Sequence, residues 1–341
     1  MILFRADGNA SIGSGHIMRC LSIADAFKRK QKDSLFVLAD KTFRPLIEER
    51  GYVTYILDSD YRNMDSELDN MKKAIAFYHP EMVIADSYYV TKEYLQELKE
   101  LAHLVYVDDL ASFAYPVDVL VNYNAYGPDV SYKELYLDEK VSVPKLVMGL
   151  RYAPLREMFR NLPARKQNKT VKDILISTGG ADPIHLALRL VHHIAQSAYP
   201  QRFHFLVGAM NADYDEIQNI VAKQKNIFVH YNVKDMKTFI SSCDLAVSAA
   251  GSTTYEISAC GVPMITYVLA DNQIQGAQAL EKLGLAISCG DLRNNVKAEQ
   301  QIMEAVALFA DDFVLREKMG KQMQKLVDGN GADRLVEELL T

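Results

Sequence analysis

Two successive runs of alternating strand and helix signals constrain this chain more than any other feature. In the first run, short β-rich segments fall at residues 2–6, 35–39, 54–57, 82–85, 104–107, 119–122 and 146–148. Stretches of helical periodicity lie between several of them, as at 17–30 and 64–78. In the second run, strands are expected at 173–177, 203–207, 227–230, 245–248, 264–267 and 286–288, again with helices between them. The stretch 298–340 reads as almost wholly helical, broken near Gly329-Asn330-Gly331. Strands separated by helices must pair in parallel, with helices covering both faces of the sheet. The chain therefore reads as α/β, with two Rossmann-like domains. The first is expected over 1–155 and the second over 173–341, the latter including the terminal helices. Between them a linker is expected over 156–172, most of it polar and basic.

A length of 341 residues suits two cores better than one. Hydrophobic residues at 49% and charged residues at 24% are the balance of a globular protein. No stretch approaches the ~20 apolar residues of a membrane span. A charge at Arg5 interrupts the N-terminal apolar residues, and no signal core follows. The four cysteines, Cys20, Cys243, Cys260 and Cys289, lack paired spacing, which suits a reducing compartment. A cytoplasmic protein is expected. The net charge of −6 gives no basic field to attract nucleic acid or anionic lipid. An anionic ligand would have to be met locally.

Doubly wound sheets bind ligands beyond the carboxyl ends of their strands, so the loops after strands carry the candidates. Arg5-Ala6-Asp7 closes the first strand, and Gly8-Asn9-Ala10-Ser11-Ile12-Gly13-Ser14-Gly15-His16 leads into a helix. Gly13 and Gly15 allow a tight turn with backbone N–H groups facing an anion at the helix N-terminus. The spacing completes neither G-x-G-x-x-G, since Met18 stands at the last position, nor a P-loop, which needs a lysine. A nicotinamide dinucleotide is disfavoured. His16 sits at the mouth of the helix, whose positive end favours a neutral imidazole. It serves either as a proton acceptor or as a helix-end residue bonded to backbone.

In the second run, Ser177-Thr178-Gly179-Gly180-Ala181-Asp182-Pro183 reads as a tight turn, with Asp182 as N-cap and Pro183 at N1. Gly179 and Gly180 also offer an open backbone surface to a base or phosphate. Ala249-Ala250-Gly251-Ser252-Thr253-Thr254-Tyr255-Glu256 follows a later strand and opens a helix. Gly251, Ser252 and Thr253 suit a diphosphate cradle without lysine. Glu256 either accepts two ribose hydroxyls or completes a capping box with Thr253. Asp271-Asn272-Gln273 starts another helix, as a plain N-cap or as amides able to bond sugar hydroxyls.

Together these segments resemble the UDP-2,4-diacetamido-2,4,6-trideoxy-β-L-altropyranose hydrolases of pseudaminic acid biosynthesis, relatives of the GT-B glycosyltransferases and of the transferase that makes lipid II. The resemblance rests on Arg5-Ala6-Asp7, the run Ile12-Gly13-Ser14-Gly15-His16-Ile17-Met18-Arg19-Cys20-Leu21, Ile84-Ala85-Asp86-Ser87-Tyr88, Val107-Asp108-Asp109 and Leu120-Val121-Asn122-Tyr123-Asn124-Ala125. It continues through Gly149-Leu150-Arg151-Tyr152-Ala153-Pro154-Leu155-Arg156 and the second-domain loops as far as Gln273. The first motif is fairly specific, whereas the Gly251 loop recurs across GT-B enzymes and marks a nucleotide site.

The resemblance implies a GT-B-like fold, with two parallel sheets facing across a cleft that holds a UDP-sugar. It implies that His16 positions or activates the attacking water, with Tyr88 lining the cleft beside it. Gly251, Ser252 and Thr253 would hold the diphosphate, Glu256 the ribose, and Asn272 and Gln273 the sugar or β-phosphate. Arg5, Asp7, Gly13 and Gly15 would shape the first loop and its ligand contacts. Asp108 and Asp109 either orient His16 or cap a loop. The implied reaction is hydrolysis to UDP and free sugar. A GT-B transferase using a UDP-sugar donor, or a hydrolase of a related nucleotide-linked diamino sugar, is the alternative. No metal-ligand cluster appears in the sequence, so activity is expected with no cofactor and no divalent ion. The expected partner is the small-molecule UDP-sugar alone, without nucleic acid or membrane, on a monomer or weak homo-oligomer.

Overall fold

The computed structural model describes every residue except 10, 11, 138, 140, 181, 209 and 232. It divides into two compact units, Met1–Glu157 with Asn330–Thr341, and Met158–Gly329.

In the first unit the strands are β1 (Ile2–Ala6), β2 (Ser34–Leu38), β3 (Val53–Ile56), β4 (Met82–Asp86), β5 (His103–Val107), β6 (Val119–Asn122) and β7 (Lys145–Met148). Its helices include α1 (Gly15–Arg29), α2 (Arg44–Glu49), α3 (Leu68–Tyr78) and α4 (Lys92–Lys99). Among the described residues the strands form one seven-stranded sheet in the order β3-β2-β1-β4-β5-β6-β7. All neighbours are parallel, with Ile2 beside both Ser34 and Met82. Every residue of β1, β2 and β4 is buried. This is why these strands read as unbroken apolar runs and not as alternating ones. Leu3, Val37, Val83, Leu104, Tyr106 and Leu120 belong to the core on which the helices pack.

The strand order has a consequence for function. From β1 the chain moves outward to β2 and β3, then returns to β4 on the other side of β1. Connections leave β1 and β4 in opposite directions, which opens a crevice between their carboxyl ends, where doubly wound folds bind ligands.

The second unit repeats the pattern. Its strands are β8 (Asp173–Ser177), β9 (Arg202–Val207), β10 (Ile227–Tyr231), β11 (Leu245–Ala249), β12 (Met264–Val268) and β13 (Ile287–Asp291). Its helices are α5 (Leu186–Ala195), α6 (Tyr214–Val221), α7 (Met236–Ser242), α8 (Thr253–Ala259), α9 (Ile274–Lys282), α10 (Ala298–Asp311) and α11 (Phe313–Leu326). The six-stranded sheet has the order β10-β9-β8-β11-β12-β13, which places the switch between β8 and β11.

Two expected boundaries move. The final helix, α12 (Gly331–Leu339), belongs to the first unit and not to the second. It buries Leu335, Val336 and Leu339, and Asp333 and Glu337 pair with Arg29 of α1 and with Lys30, the residue after it. The expected linker, too, is largely part of the second unit, which begins at Met158. Its polar side chains are spent on carbonyl groups there. Arg165 donates to the carbonyls of Ser241 and Cys243, and Gln167 donates to that of Gly261. Arg316, 1% exposed, donates to the carbonyls of Asn168 and Lys169 from α11. Among the described residues no helix is long and apolar enough to cross a membrane.

Candidate active site

The first-unit site is built on the β1–β4 switch point. Gly13 closes the loop after β1 by exchanging backbone hydrogen bonds with Asn9. Its φ of +73° is one that glycine adopts without penalty. Ala10 and Ser11 of this loop lie outside the described residues. α1 begins at Gly15, with Ser14 as an N-cap that makes no side-chain capping bond and no acidic residue in the first turn. The positive end of the helix therefore lacks an anion of its own.

His16, in that first turn, is 4% exposed. Its Nδ1 lies 2.6 Å from Oδ1 of Asp86, the last residue of β4. Burial pushes the Asp86 carboxyl up, but Arg19 and His16 outweigh burial and hold it well below the usual carboxylate range. An ionised carboxylate only accepts, so Nδ1 must carry the proton and donate. In the neutral imidazole this leaves Nε2 with the lone pair. Tyr88, two residues beyond Asp86, sets its ring edge-on to His16 with centroids 4.6 Å apart. Its hydroxyl donates to Asp109 Oδ2 at 3.2 Å. Burial, with Asp109 adding, pushes that hydroxyl far up, so Tyr88 stays a neutral phenol.

Arg19 joins these groups. Its Nε and Nη2 fork onto both oxygens of Asp86. Its Nη1 donates to Asp109 Oδ2 at 2.8 Å and to the Tyr123 hydroxyl at 2.9 Å.

The two aspartates left open by the sequence separate here. Asp108, fully buried, accepts from the backbone of Leu110 and Ala111 and from the hydroxyls of Tyr115 and Tyr132, so it caps a loop. Asp109 faces Arg19 and Tyr88, and accepts from Asn124 at 2.7 Å. Arg5 and Asp7, expected among the ligand contacts, are instead buried in a network of their own. Arg5 is 0% exposed, forks onto Glu67 and pairs with Asp7. Asp7 also accepts from the Ala39 amide. These bonds brace the end of β1, where the guanidinium is fully buried.

In the second unit, the loops after β8 and β11 follow strands paired at Ser177 and Ser248. Gly179 and Gly180 are exposed, and Gly179 has a φ of +83°. Ala181 lies outside the described residues. α5 starts at Leu186 with His185 as N-cap, so Pro183 is not its first residue. Asp182 nevertheless accepts from the amides of Leu186 and Ala187 at 3.0 and 2.7 Å, which neutralises that helix end internally. In the β11 loop the Gly251 amide is spent on the Ala249 carbonyl. Of the expected cradle, the amides of Ser252 and Thr253 make no backbone hydrogen bond among the described residues. Ser252, not Thr253, is the N-cap of α8 and makes no side-chain capping bond, so Glu256 falls one position beyond the N3 place of a capping box. Asp271–Gln273 form a 3₁₀ turn before α9. Gln273 uses Oε1 to accept from the Leu269 amide, and Asp271 pairs with Arg293. Asn272 is exposed.

Residues 172–329 match the glycosyltransferase family 28 C-terminal domain. A UDP-2,4-diacetamido-2,4,6-trideoxy-β-L-altropyranose hydrolase of Campylobacter jejuni is 25% identical over 292 residues, covering 84% of this chain and 98% of its own. An uncharacterized protein of Methanocaldococcus jannaschii is 25% identical over 281 residues, 79% of this chain, which spans 55% of that relative's length. MurG of Acinetobacter baumannii superposes with a TM-score of 0.70 over 99% of both chains at 15% identity.

The chain has the GT-B fold. Its resemblance to the hydrolase family extends across most of its length.

Within this GT-B chain, His16, Asp86 and Tyr88 lie at the β1–β4 switch point and the Gly179 and Gly251 loops at that between β8 and β11, while Asn272 and Gln273 follow β12. Sequence reasoning named His16 and Tyr88, which the fold sets side by side, and left out Asp86 and Arg19, which bond to the same cluster. The signal was present. An aspartate closes an otherwise apolar strand at its carboxyl end, and an arginine stands one helical turn after the histidine. Among the described residues no group of three or more His, Cys, Asp and Glu side chains could hold a metal ion.

Proposed function

We propose that the chain hydrolyses UDP-2,4-diacetamido-2,4,6-trideoxy-β-L-altropyranose to UDP and free sugar, a step of pseudaminic acid biosynthesis. The observation that carries the reading is His16, fixed through Nδ1 on a buried carboxylate, an arrangement in which the neutral ring turns its Nε2 lone pair away from Asp86 as a proton acceptor. The hydrolase relative that spans 84% of this chain supports the choice of substrate.

In this reading a water oxygen bonds to the anomeric carbon while the bond from that carbon to the diphosphate oxygen breaks. The water proton passes to His16 Nε2, and the electron pair leaves with UDP. A base positioned in this way contributes roughly 10²–10⁴ in rate. UDP needs little protonation to depart. What helps it is fixed donors facing the charge that grows on the diphosphate. The amides of Ser252 and Thr253 at the start of α8 take that role, with Gly251, Gly179 and Gly180 leaving room for the phosphates. Glu256 accepts the ribose hydroxyls, and Asn272 with the Gln273 amide nitrogen bonds the sugar or β-phosphate. Tyr88, a neutral phenol, lines the site beside His16.

The test is incubation with that UDP-sugar in ¹⁸O water without any acceptor. Free UDP and ¹⁸O on the sugar are expected. Label on phosphate would mean attack at phosphorus and would remove His16 from the assigned step. Tight UDP binding with no release would turn the reading to a transferase.

A further inference from the structure

We infer that Arg19 is the positioning residue of this site: its guanidinium fixes the Asp86 carboxylate and balances the surrounding negative charge, so that His16 stays an unprotonated acceptor. The inference rests on the reading of His16 as base.

The geometry is specific to arginine. Arg19 stands three residues after His16 on α1, and therefore on the same face of the helix. Its planar fork covers both Asp86 oxygens while the remaining edge reaches Asp109 and the Tyr123 hydroxyl. The guanidinium carbon also lies 5.6 Å from the centroid of the Tyr123 ring. A lysine has the charge but only three donors on one nitrogen, and cannot cover both Asp86 oxygens side by side while also reaching Asp109 and the Tyr123 hydroxyl. Arg19 Nη2 comes within 3.0 Å of His16 Nδ1, yet both are donors. That approach records their convergence on the same oxygen of Asp86.

The charge balance gives the role its consequence. The groups around His16 are Arg19 and Cys20 from α1, Asp86 from β4, Tyr88 after β4, Asp109 after β5 and Tyr123 after β6. Burial pushes the Cys20 thiol and the Tyr88 and Tyr123 hydroxyls up, so all three are neutral. Two carboxylates and one guanidinium remain. Without the guanidinium, the carboxylates would draw a proton onto the imidazole. The lone pair needed for water activation would be lost at neutral pH.

The experiment compares wild type, Arg19→Met and Arg19→Lys. UDP affinity is read by calorimetry, and the His16 imidazole is titrated by NMR, with His16→Ala identifying its resonance. The pH profile of kcat/KM is measured on the UDP-sugar. In Arg19→Met we expect UDP affinity within about twofold of wild type, and a His16 midpoint higher by at least about one pH unit. Turnover should fall by roughly 10–10³ at neutral pH and recover in part at alkaline pH. A merely structural arginine would leave the His16 midpoint in place and lower kcat/KM equally at every pH, which overturns the inference. Should Arg19→Met fail to fold, Arg19→Lys decides. Loss of more than about tenfold in turnover with UDP binding kept supports the need for the fork, and near-wild-type turnover overturns it. The NMR midpoint needs no substrate. It therefore tests Arg19 separately from the hydrolase reading, which fails if wild type releases no UDP from the sugar.

Discussion

At the scale of single residues, the site turns on a carboxylate buried where water cannot reach it. Asp86 is tolerated there because Arg19, His16 and the Cys20 thiol occupy its lone pairs. His16→Ala should leave UDP affinity nearly unchanged and lower kcat by roughly 10²–10⁴. Equal loss of UDP affinity in calorimetry would place His16 in binding instead. Asp86 also ties stability to pH. Its folded carboxyl titrates below its unfolded value. The stability it contributes is thus fully present above the unfolded value near pH ~4 and is lost as pH falls through the folded one. Urea unfolding from pH 6 downward should show this as an acid slope below about pH 4 that is smaller in Asp86→Asn. Identical slopes would mean that Asp86 has no protective partners in solution. These charges were hard to read in the sequence because Arg19 looks like an ordinary solvated helix residue and Asp86 like a strand end. Only the fold shows that β4 lies beside β1 and turns both inward.

At the scale of elements, the strands were the most legible part, because fully buried parallel strands are written as short apolar runs between turn residues. Each expected strand forms, with ends within one residue of expectation except in β13, which runs three residues further, to Asp291. Loop chemistry was less legible. The Asp182-Pro183 pair looks like an N-cap and N1, yet α5 starts at Leu186 and Asp182 reaches forward to cap it. Which core claims a terminal helix cannot be read from an amphipathic pattern alone, and α12 was assigned to the wrong one. Its docking is tight at one point: a Cβ on Gly331 would lie 2.2 Å from the Ala153 carbonyl oxygen, a backbone atom unable to move aside. Gly331→Ala should therefore cost on the order of 1–3 kcal/mol through overpacking. It should also speed hydrogen exchange in α12 and in the facing side of α1. A change below about 0.5 kcal/mol would show that the helix can shift outward without penalty.

At the scale of the whole molecule, one strand order is used twice, and the chain passes between the units twice, near residues 157 and 330. The unit with His16 is thus completed only by the last residues of the chain, while the unit with the proposed UDP loops ends at Gly329. This separates two activities that a single substrate would otherwise join. UDP at about a hundred times its Kd should stabilise the second unit by about 2.7 kcal/mol, because a ligand stabilises the state that binds it. A chain ending at Gly329 should keep that UDP-dependent shift in thermal unfolding. It should lose sugar hydrolysis, because α1 would surrender the burial of Leu335, Val336 and Leu339, at roughly 1.5–3 kcal/mol for each side chain. The ion pairs of Arg29 and Lys30 with α12 are partly exposed and add little. Loss of the UDP shift along with turnover would mean that the second unit does not hold the nucleotide by itself. Retained turnover would mean that α1 keeps His16 in place without α12, and that the terminal helix serves some purpose other than completing the site.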